Sequence, residues 1–394
     1  MQITTRNANL TDLLTLLQEQ HTRKVDVVAP ATAIRSVEGV LHVQGAEQIL
    51  SEEGVTTADG RYVPTAVCDE GLAAKLDVPV SYLKRLREDR PDLYDANVNG
   101  WLHGRKAKQR PIPMPAGEGP MFETVREGVP ADARSFLIRA FRGDDDGTGI
   151  ARAFLSDRYA PIDNLDVLVS ALDGIRDAGV EVNIDGGDLT ERRMVVRVSC
   201  PQVSALAPVL LHGYRSPFTG ESGSDNPTVW AGFQISNSEV GGGAFTITPR
   251  LVVQVCRNGM TITKDALQKV HLGGRLDAGV VRWGQDTQEA AVTLVKRQTR
   301  DAVTTFLSPE YLASAVTALE AKAGEEVHTH DEVKVLTKAA KFTDAEVEGI
   351  LGYFTQGGQM TRAGVANAVT AYAQTVEDGE QAYTLEARAT ALLS

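Results

Sequence analysis

The sequence predicts an α+β protein with a central antiparallel sheet, packed helices and an all-helical, acidic C-terminal segment. Three observations carry this. Alternating apolar runs around Gly-rich reversals fill the middle of the chain, helical periodicity alone fills the last quarter, and acidity is concentrated there. Residues 301–394 hold 6 Lys/Arg against 14 Asp/Glu, a net of -8, which leaves -4 of the total -12 for residues 1–300.

The clearest strand pair is in residues 229–260, VWAGFQISNSEVGGGAFTITPRLVVQVCRNGM. Gly241, Gly242 and Gly243 allow a tight reversal, and Phe245, Ile247, Leu251, Val253 and Val255 then alternate with smaller or polar residues. Upstream, strands are expected at 135–142 and 150–155 about the acidic turn 143–147, which lacks the ligand spacing of an EF-hand loop. An amphipathic helix follows at 164–177, with Leu165, Leu168, Leu172 and Ile175 on one face. A hairpin then joins 180–185 to 192–199 around Gly186-Gly187-Asp188. One sheet is expected to combine 135–142, 150–155, 192–199 and 246–256.

Toward the N-terminus, a helix is expected at 10–19 and strands at 24–28 and 37–43. Residues 68–89 read as two short helices about a turn, with Leu72, Leu76, Tyr82, Leu83 and Leu86 as their shared apolar face and Pro79 opening the second. This is the outline of a helix-turn-helix whose second helix carries Lys84, Arg85 and Arg87. Residues 101–120 form a basic loop with His103, Arg105, Lys106, Lys108 and Arg110. Helices are expected at 263–271 and 287–306, then at 310–323, 332–341, 344–354, 361–375 and 382–393. The domain plan is a mixed segment at 1–120, an α+β core at 121–306 and an acidic helical tail at 307–394.

Composition narrows the function. With 394 residues and 42% hydrophobic content, the chain can bury a large core. No apolar run approaches the roughly 20 residues that span a bilayer. MQITTRNANL shows no basic segment followed by an apolar one, so no secretory signal is expected. Cys68, Cys200 and Cys256 are odd in number and widely spaced, which fits a reducing cytoplasm; Cys200 and Cys256 read as buried thiols. No nucleophile elbow, phosphate loop or metal-ligand spacing occurs, and His328 and His330 in HTHDE lack partner ligands. No catalytic residue, metal or cofactor is therefore expected.

Cations beside aromatic residues recur on the expected strands. Arg152, Arg158, Tyr159, Arg193, Arg197, Arg250, Arg257 and Lys264 are the candidate DNA-binding residues, since single-strand binders combine a cationic groove with stacking platforms. Arg193 and Arg197 share strand parity, and Trp283 offers a further ring. Asn237, Ser238, Glu239 and Asn258 form a polar cluster expected to converge with Arg257 at the strand ends and to shape the groove or a subunit contact. Two alternatives stay open: an enzyme with Glu239 as general base and Arg257 as anion clamp, and a host-interaction protein acting through its acidic tail.

Five motifs in order carry a resemblance: FLSDRYAPIDN (154–164), ERRM (191–194), GFQISNSEVGGGAFTITP (232–249), VCRNGM (255–260) and VANAVTAYAQ (365–374). Together they resemble the phage/plasmid-like domain-of-unknown-function family over roughly residues 60–394. The resemblance implies a cytoplasmic role in an infected or plasmid-bearing bacterial cell and carries no biochemical activity with it. By analogy of setting and core it points to single-strand annealing proteins of phage recombination, and a homo-oligomer on single-stranded DNA is expected. The acidic tail departs from a simple basic binder and fits a segment that shields a groove or recruits a partner.

Overall fold

The computed structural model describes residues 2–51, 54–112, 121–144, 147–159, 161–255, 259–262, 265–269 and 285–393. The chain opens with β1 (Thr5–Ala8), α1 (Leu10–Arg23), β2 (Lys24–Pro30), β3 (Ile34–Val37), β4 (Val40–Ser51) and β5 (Gly54–Pro64). Three helices follow, α2 (Ala66–Leu76), α3 (Val80–Asp89) and α4 (Pro91–His103). Then come β6 (Lys108–Ile112), β7 (Met121–Arg126), β8 (Ser135–Phe141) and β9 (Thr148–Ser156). After α5 (Asn164–Ala178) lie β10 (Asn183–Leu189), β11 (Met194–Leu206), the short α6 (Pro208–Leu211) and β12 (Thr228–Asn237). β13 (Phe245–Val253), β14 (Gly259–Thr261) and β15 (Leu267–Lys269) complete the strands. The remainder is helical: α7 (Gln285–Phe306), α8 (Pro309–Ala323), α9 (His330–Ala339), α10 (Asp344–Gly357), α11 (Arg362–Thr375) and α12 (Gly379–Ala389), closed by a 3-10 turn at Thr390–Leu393.

The class is α+β and the C-terminal segment is helical, as expected. The expected single sheet, however, is two. The contacts also divide the chain at other places than 120 and 306. One unit comprises Met1–Gln18, Ile162–His271 and Gly279–Ser394, the other Glu19–Pro161 and Leu272–Ala278. In the first, an antiparallel sheet runs β1-β10-β11-β12-β13-β14, with β15 also on β13. In the second, a sheet runs β2-β8-β9-β5-β4-β3, and β6 and β7 form a separate ribbon. Strands 135–142 and 150–155 therefore lie apart from 192–199 and 246–256. Gly-rich turns fix which neighbours form a hairpin, but not which hairpins share a sheet. Here distant partners decide: β1 reaches β10, β2 reaches β8, and β5 pairs with β9 in parallel.

Two local expectations also change. Gly186 and Gly187 lie inside β10 rather than at its turn, which falls at 190–193. A Cβ on Gly187 would come 2.6 Å from Leu13 Cδ2, so this strand is glycine where α1 presses on it. Residues 267–269 form a strand edge on β13 rather than helix, and 263, 264, 270 and 271 lie outside the described residues.

In the second unit, Tyr62, Tyr94, Phe136 and Phe154 anchor a core between its sheet and α2–α4. Thr65 opens α2 by accepting a hydrogen bond from the Cys68 amide, and Asp77 ends it in the left-handed region. The helix pair forms as the spacing predicts, with α4 added, except that Tyr82 of the expected shared face is exposed. A buried carboxylate ties the three together: Asp69 accepts from the Tyr94 hydroxyl at 3.1 Å and pairs with Arg87 at 2.7 Å. Burial pushes the Asp69 carboxyl above the usual range, opposed by Arg87 and the Tyr94 hydrogen bond.

α2 lies so close on β9 that a Cβ at Gly71 would sit 2.4 Å from the Phe154 carbonyl oxygen. Gly71→Ala must therefore push α2 off the strand. We expect it to destabilise the protein by about 1–3 kcal/mol despite alanine's better helix propensity, read as a lowered urea midpoint; an unchanged or raised midpoint would show that the helix gives way freely.

A buried arginine cluster as the candidate functional site

Alternation along β11, β12 and β13 gives the first unit's sheet two unlike faces. Met194, Val196, Val198, Phe233, Ile235, Ile247 and Leu251 join one hydrophobic cluster with residues of α5 and α7. Most of the residues between them are polar, yet also buried: Arg197, Ser199, Gln234, Ser236, Thr246, Thr248 and Arg250, with Val195 apolar among them. Register sets Arg197 opposite Gln234, which faces Thr248, and places Arg250 two residues further along, between Gly232 and Thr261. The parity that singles out Arg197 thus brings it to the same face as Arg250.

The acids on this face come from distant parts of the chain. Asp188 of β10, fully buried, accepts from Arg197 Nη2 at 2.6 Å, from Arg6 Nη1 at 2.5 Å and from the Asn7 amide at 2.7 Å. Glu386 of α12 holds Arg197 Nε at 3.4 Å and Arg250 Nη2 at 3.9 Å. At the 190–193 turn, Arg193 meets Glu380 of α12 at 2.6 Å and lies 4.5 Å over the Tyr383 ring. Among the described residues, four buried polar atoms of this face have no hydrogen-bond partner: Arg197 Nη1, Arg250 Nε, Gln234 Oε1 and Thr261 Oγ1. Each such atom costs about 1–3 kcal/mol.

Electrostatics follow the contacts. Burial alone would raise Asp188, but the Arg197 charge and the hydrogen bonds from Arg197, Arg6 and Asn7 outweigh it and hold the carboxyl below its usual range. Burial also acts against the Arg197 charge, and Glu386 with Asp188 reverses the effect, so its guanidinium is raised. For Arg250, burial wins and the guanidinium is lowered, with Glu386 opposing and Arg197 adding to the shift.

The other candidates fall elsewhere. Arg152, Arg158 and Tyr159 belong to the second unit. Arg152 is buried with its guanidinium 4.4 Å over the Phe141 ring, Arg158 is exposed on the turn after β9, and Tyr159 is half-buried. Arg152, Arg197 and Arg250 are thus inward-facing, where a solvated groove was expected, because each strand places alternate residues against a covered face. Lys264, Arg257, Asn258, Trp283 and Cys256 lie outside the described residues. In the helix pair, Arg87 turns in to Asp69, Lys84 pairs with Glu70 at 3.2 Å, and Arg85 stays exposed.

Asn237, Ser238 and Glu239 do converge, on a frame rather than a cleft. Glu239 Oε2 accepts from the Asn164 amide at 2.9 Å and so caps α5, whose N-cap residue Asp163 does not cap it with its own side chain. Asn237 donates to the Ile162 carbonyl and to Asn164 Oδ1, and Ser238 donates to the Arg192 carbonyl. Their expected meeting with Arg257 and Asn258 falls on residues outside the described ones.

Cys68 and Cys200 are buried free thiols, and no metal-binding group of His, Cys, Asp or Glu occurs among the described residues. Instead of ligating, the HTHDE motif opens α9: Thr329 accepts from the Glu332 amide, and Glu332 accepts from the His328 amide. No described helix is long and apolar enough to cross a membrane. Asp188, Glu380, Glu386 and Arg6 escape sequence reasoning, although Thr246-Ile247-Thr248 and Gln234-Ile235-Ser236 do carry the signal of a polar sheet face. Compared with known proteins, no family model, no curated protein and no solved structure matches this chain.

Asp188 gives a pH test. Its folded-state pKa lies below the unfolded value of about 3.9, so its contribution is complete above that pH and is lost as pH falls through the folded value. We expect urea stability to fall steeply below about pH 4 and Asp188→Asn to flatten that limb while lowering stability at pH 7. Equal acid limbs in the two proteins would show that Asp188 does not contribute to it.

Proposed function

We propose that this chain binds single-stranded DNA without catalysing a reaction, as a strand-binding or annealing protein of a phage or plasmid, acting as a homo-oligomer in the bacterial cytoplasm. The observation that carries the reading is the polar face of the first unit's sheet. It sets Arg197 and Arg250 among amides and hydroxyls and leaves donors of both guanidinium groups without partners. A sheet face built only for packing would be apolar, since buried charges seldom outperform well-packed hydrophobic residues. Arginine on such a face suits phosphate, which its planar fork meets in a bidentate way.

In this reading, Arg193 at the turn and Arg197 and Arg250 on the strands neutralise backbone phosphates, with Gln234, Thr246 and Thr248 as uncharged contacts. On the second unit, taken by itself, Arg158 and Tyr159 offer a cation and a stacking ring. Glu380 and Glu386, the α12 acids that meet these arginines, would be exchanged for phosphates on binding.

Fluorescence anisotropy of a labelled thymidine oligomer, measured at several salt concentrations, tests the reading. Affinity is expected to fall with salt, with a log–log slope of about 0.7 per phosphate contact. Arg193→Ala, at a partly exposed position, should lower that slope by about 0.7 and leave the fold intact. Sedimentation with and without oligomer reads the assembly. Absence of binding by the folded protein at about 50 mM salt, where non-specific contacts are strongest, would remove the reading.

A further inference from the structure

We infer that α12 is a displaceable cover, and that the Glu386 carboxylate occupies an oxyanion site, formed by Arg197 and Arg250, that takes a backbone phosphate when the helix lifts. The inference rests on the single-stranded DNA reading and adds to it a site and a regulation.

The contacts on the two sides of Arg197 are unequal. Toward Asp188 it makes a charge-assisted bond of 2.6 Å, whereas Glu386 stands 3.4 Å from its Nε and 3.9 Å from Arg250 Nη2. Well-matched guanidinium–carboxylate bonds measure about 2.7–2.9 Å. Asp188 therefore fixes Arg197 in place, and Glu386 is a loose tenant. A backbone phosphodiester holds its two anionic oxygens in a tetrahedral rather than a planar arrangement, and Arg197 Nη1 and Arg250 Nε are the buried donors left to receive them.

The helix is held on both sides. Arg6 bonds the carbonyls of Ala373 and Val376 at 3.1 and 3.4 Å before it, and after it Thr390 Oγ1 donates to the Thr261 carbonyl and Arg362 to the Leu392 carbonyl. Within α12 itself Ala382, Leu385, Glu386 and Ala389 are buried, and Leu385 is the one large apolar side chain among these four. Residues 377–389 carry four acids, Glu377, Asp378, Glu380 and Glu386, against one base, Arg388. The helix thus presents the same charge sign as the strand it would yield to. Glu380 makes the matching contact at Arg193, where the cover meets the turn.

Hydrogen exchange of the full-length protein, with and without a thymidine oligomer at saturating concentration, reads the displacement directly. The α12 amides should exchange slowly alone and markedly faster when DNA is bound, while those of β11–β13 stay protected. In parallel, the E380Q/E386Q protein should bind the oligomer about five- to a hundred-fold more tightly than the wild type. Leu385→Ala, which loosens the cover without changing its charge, should shift affinity in the same direction. Unchanged or increased α12 protection in the DNA-bound wild type overturns the cover and leaves DNA binding standing, even if the glutamine protein does not fold. Equal affinity of wild-type, E380Q/E386Q and L385A proteins does the same. Absence of binding in all three overturns both.

Discussion

Asp188 is the carboxylate on which the first unit's polar face depends. With no exposure to solvent, it gathers bonds from Arg197 on the neighbouring strand and from Arg6 and Asn7 at β1. The constraint is general: a guanidinium taken out of water needs an acceptor at hydrogen-bond distance, and removing one partner of such a pair costs about 3–5 kcal/mol. Because β1 supplies two of the donors, the segment before α1 joins the sheet of residues more than 180 positions later. The first unit's discontinuity in sequence follows from this.

The same logic sets the role of the C-terminal helices. A seven-stranded sheet with its apolar face toward α5 and α7 still has a second face to cover, and that face carries Arg197 and Arg250. A purely apolar helix there would leave Arg250 uncompensated and Arg197 with Asp188 alone. α12 brings Glu386 instead, and Glu380 at its first turn serves Arg193. Compensation is incomplete, since donors on both buried arginines remain without partners. A network kept for packing alone would be expected to close; an open one in a buried, cationic place fits a surface whose full complement is a ligand.

Much of the architecture was legible because it rests on local periodicity. Residues 164–177 and the C-terminal helices have strong 3.6-residue spacing, and caps such as Thr343 with Glu346 sharpen their ends. The reversal at Gly241–Gly243 likewise follows from local chemistry. Sheet membership was not legible. β8 and β9 have the same alternation as β11 and β13, and only their pairing with β2 and β5, far back in the chain, separates the two sheets. Glycines at 186 and 187 were misread as a turn because close approach of Leu13 leaves the same mark as a reversal. At the site, parity placed Arg197 on a shared face, but charge alone could not distinguish a solvated arginine from one buried against Glu386, 189 residues away. Glu239 misled for a related reason, since a carboxylate that caps a distant helix reads in sequence like any catalytic base.

The two acids that meet Arg197 differ in how deeply the fold depends on them. Asp188 sits on the strand next to the sheet's edge, between β1 and β11, and its loss would detach the N-terminal strand as well as free a charge. Glu386 sits on a helix joined through a short connection after Val376, and its bonds are the long ones. Stability and readiness are thereby assigned to different carboxylates of one network: the strand acid keeps the guanidinium oriented, while the helix acid keeps it neutralised. Removing the first would spoil the geometry any phosphate must meet, whereas removing the second would leave that geometry in place and vacate it. Such a division is what a binding face needs if it is to be prepared before its ligand arrives, because preorganised donors need no rearrangement at the moment of contact.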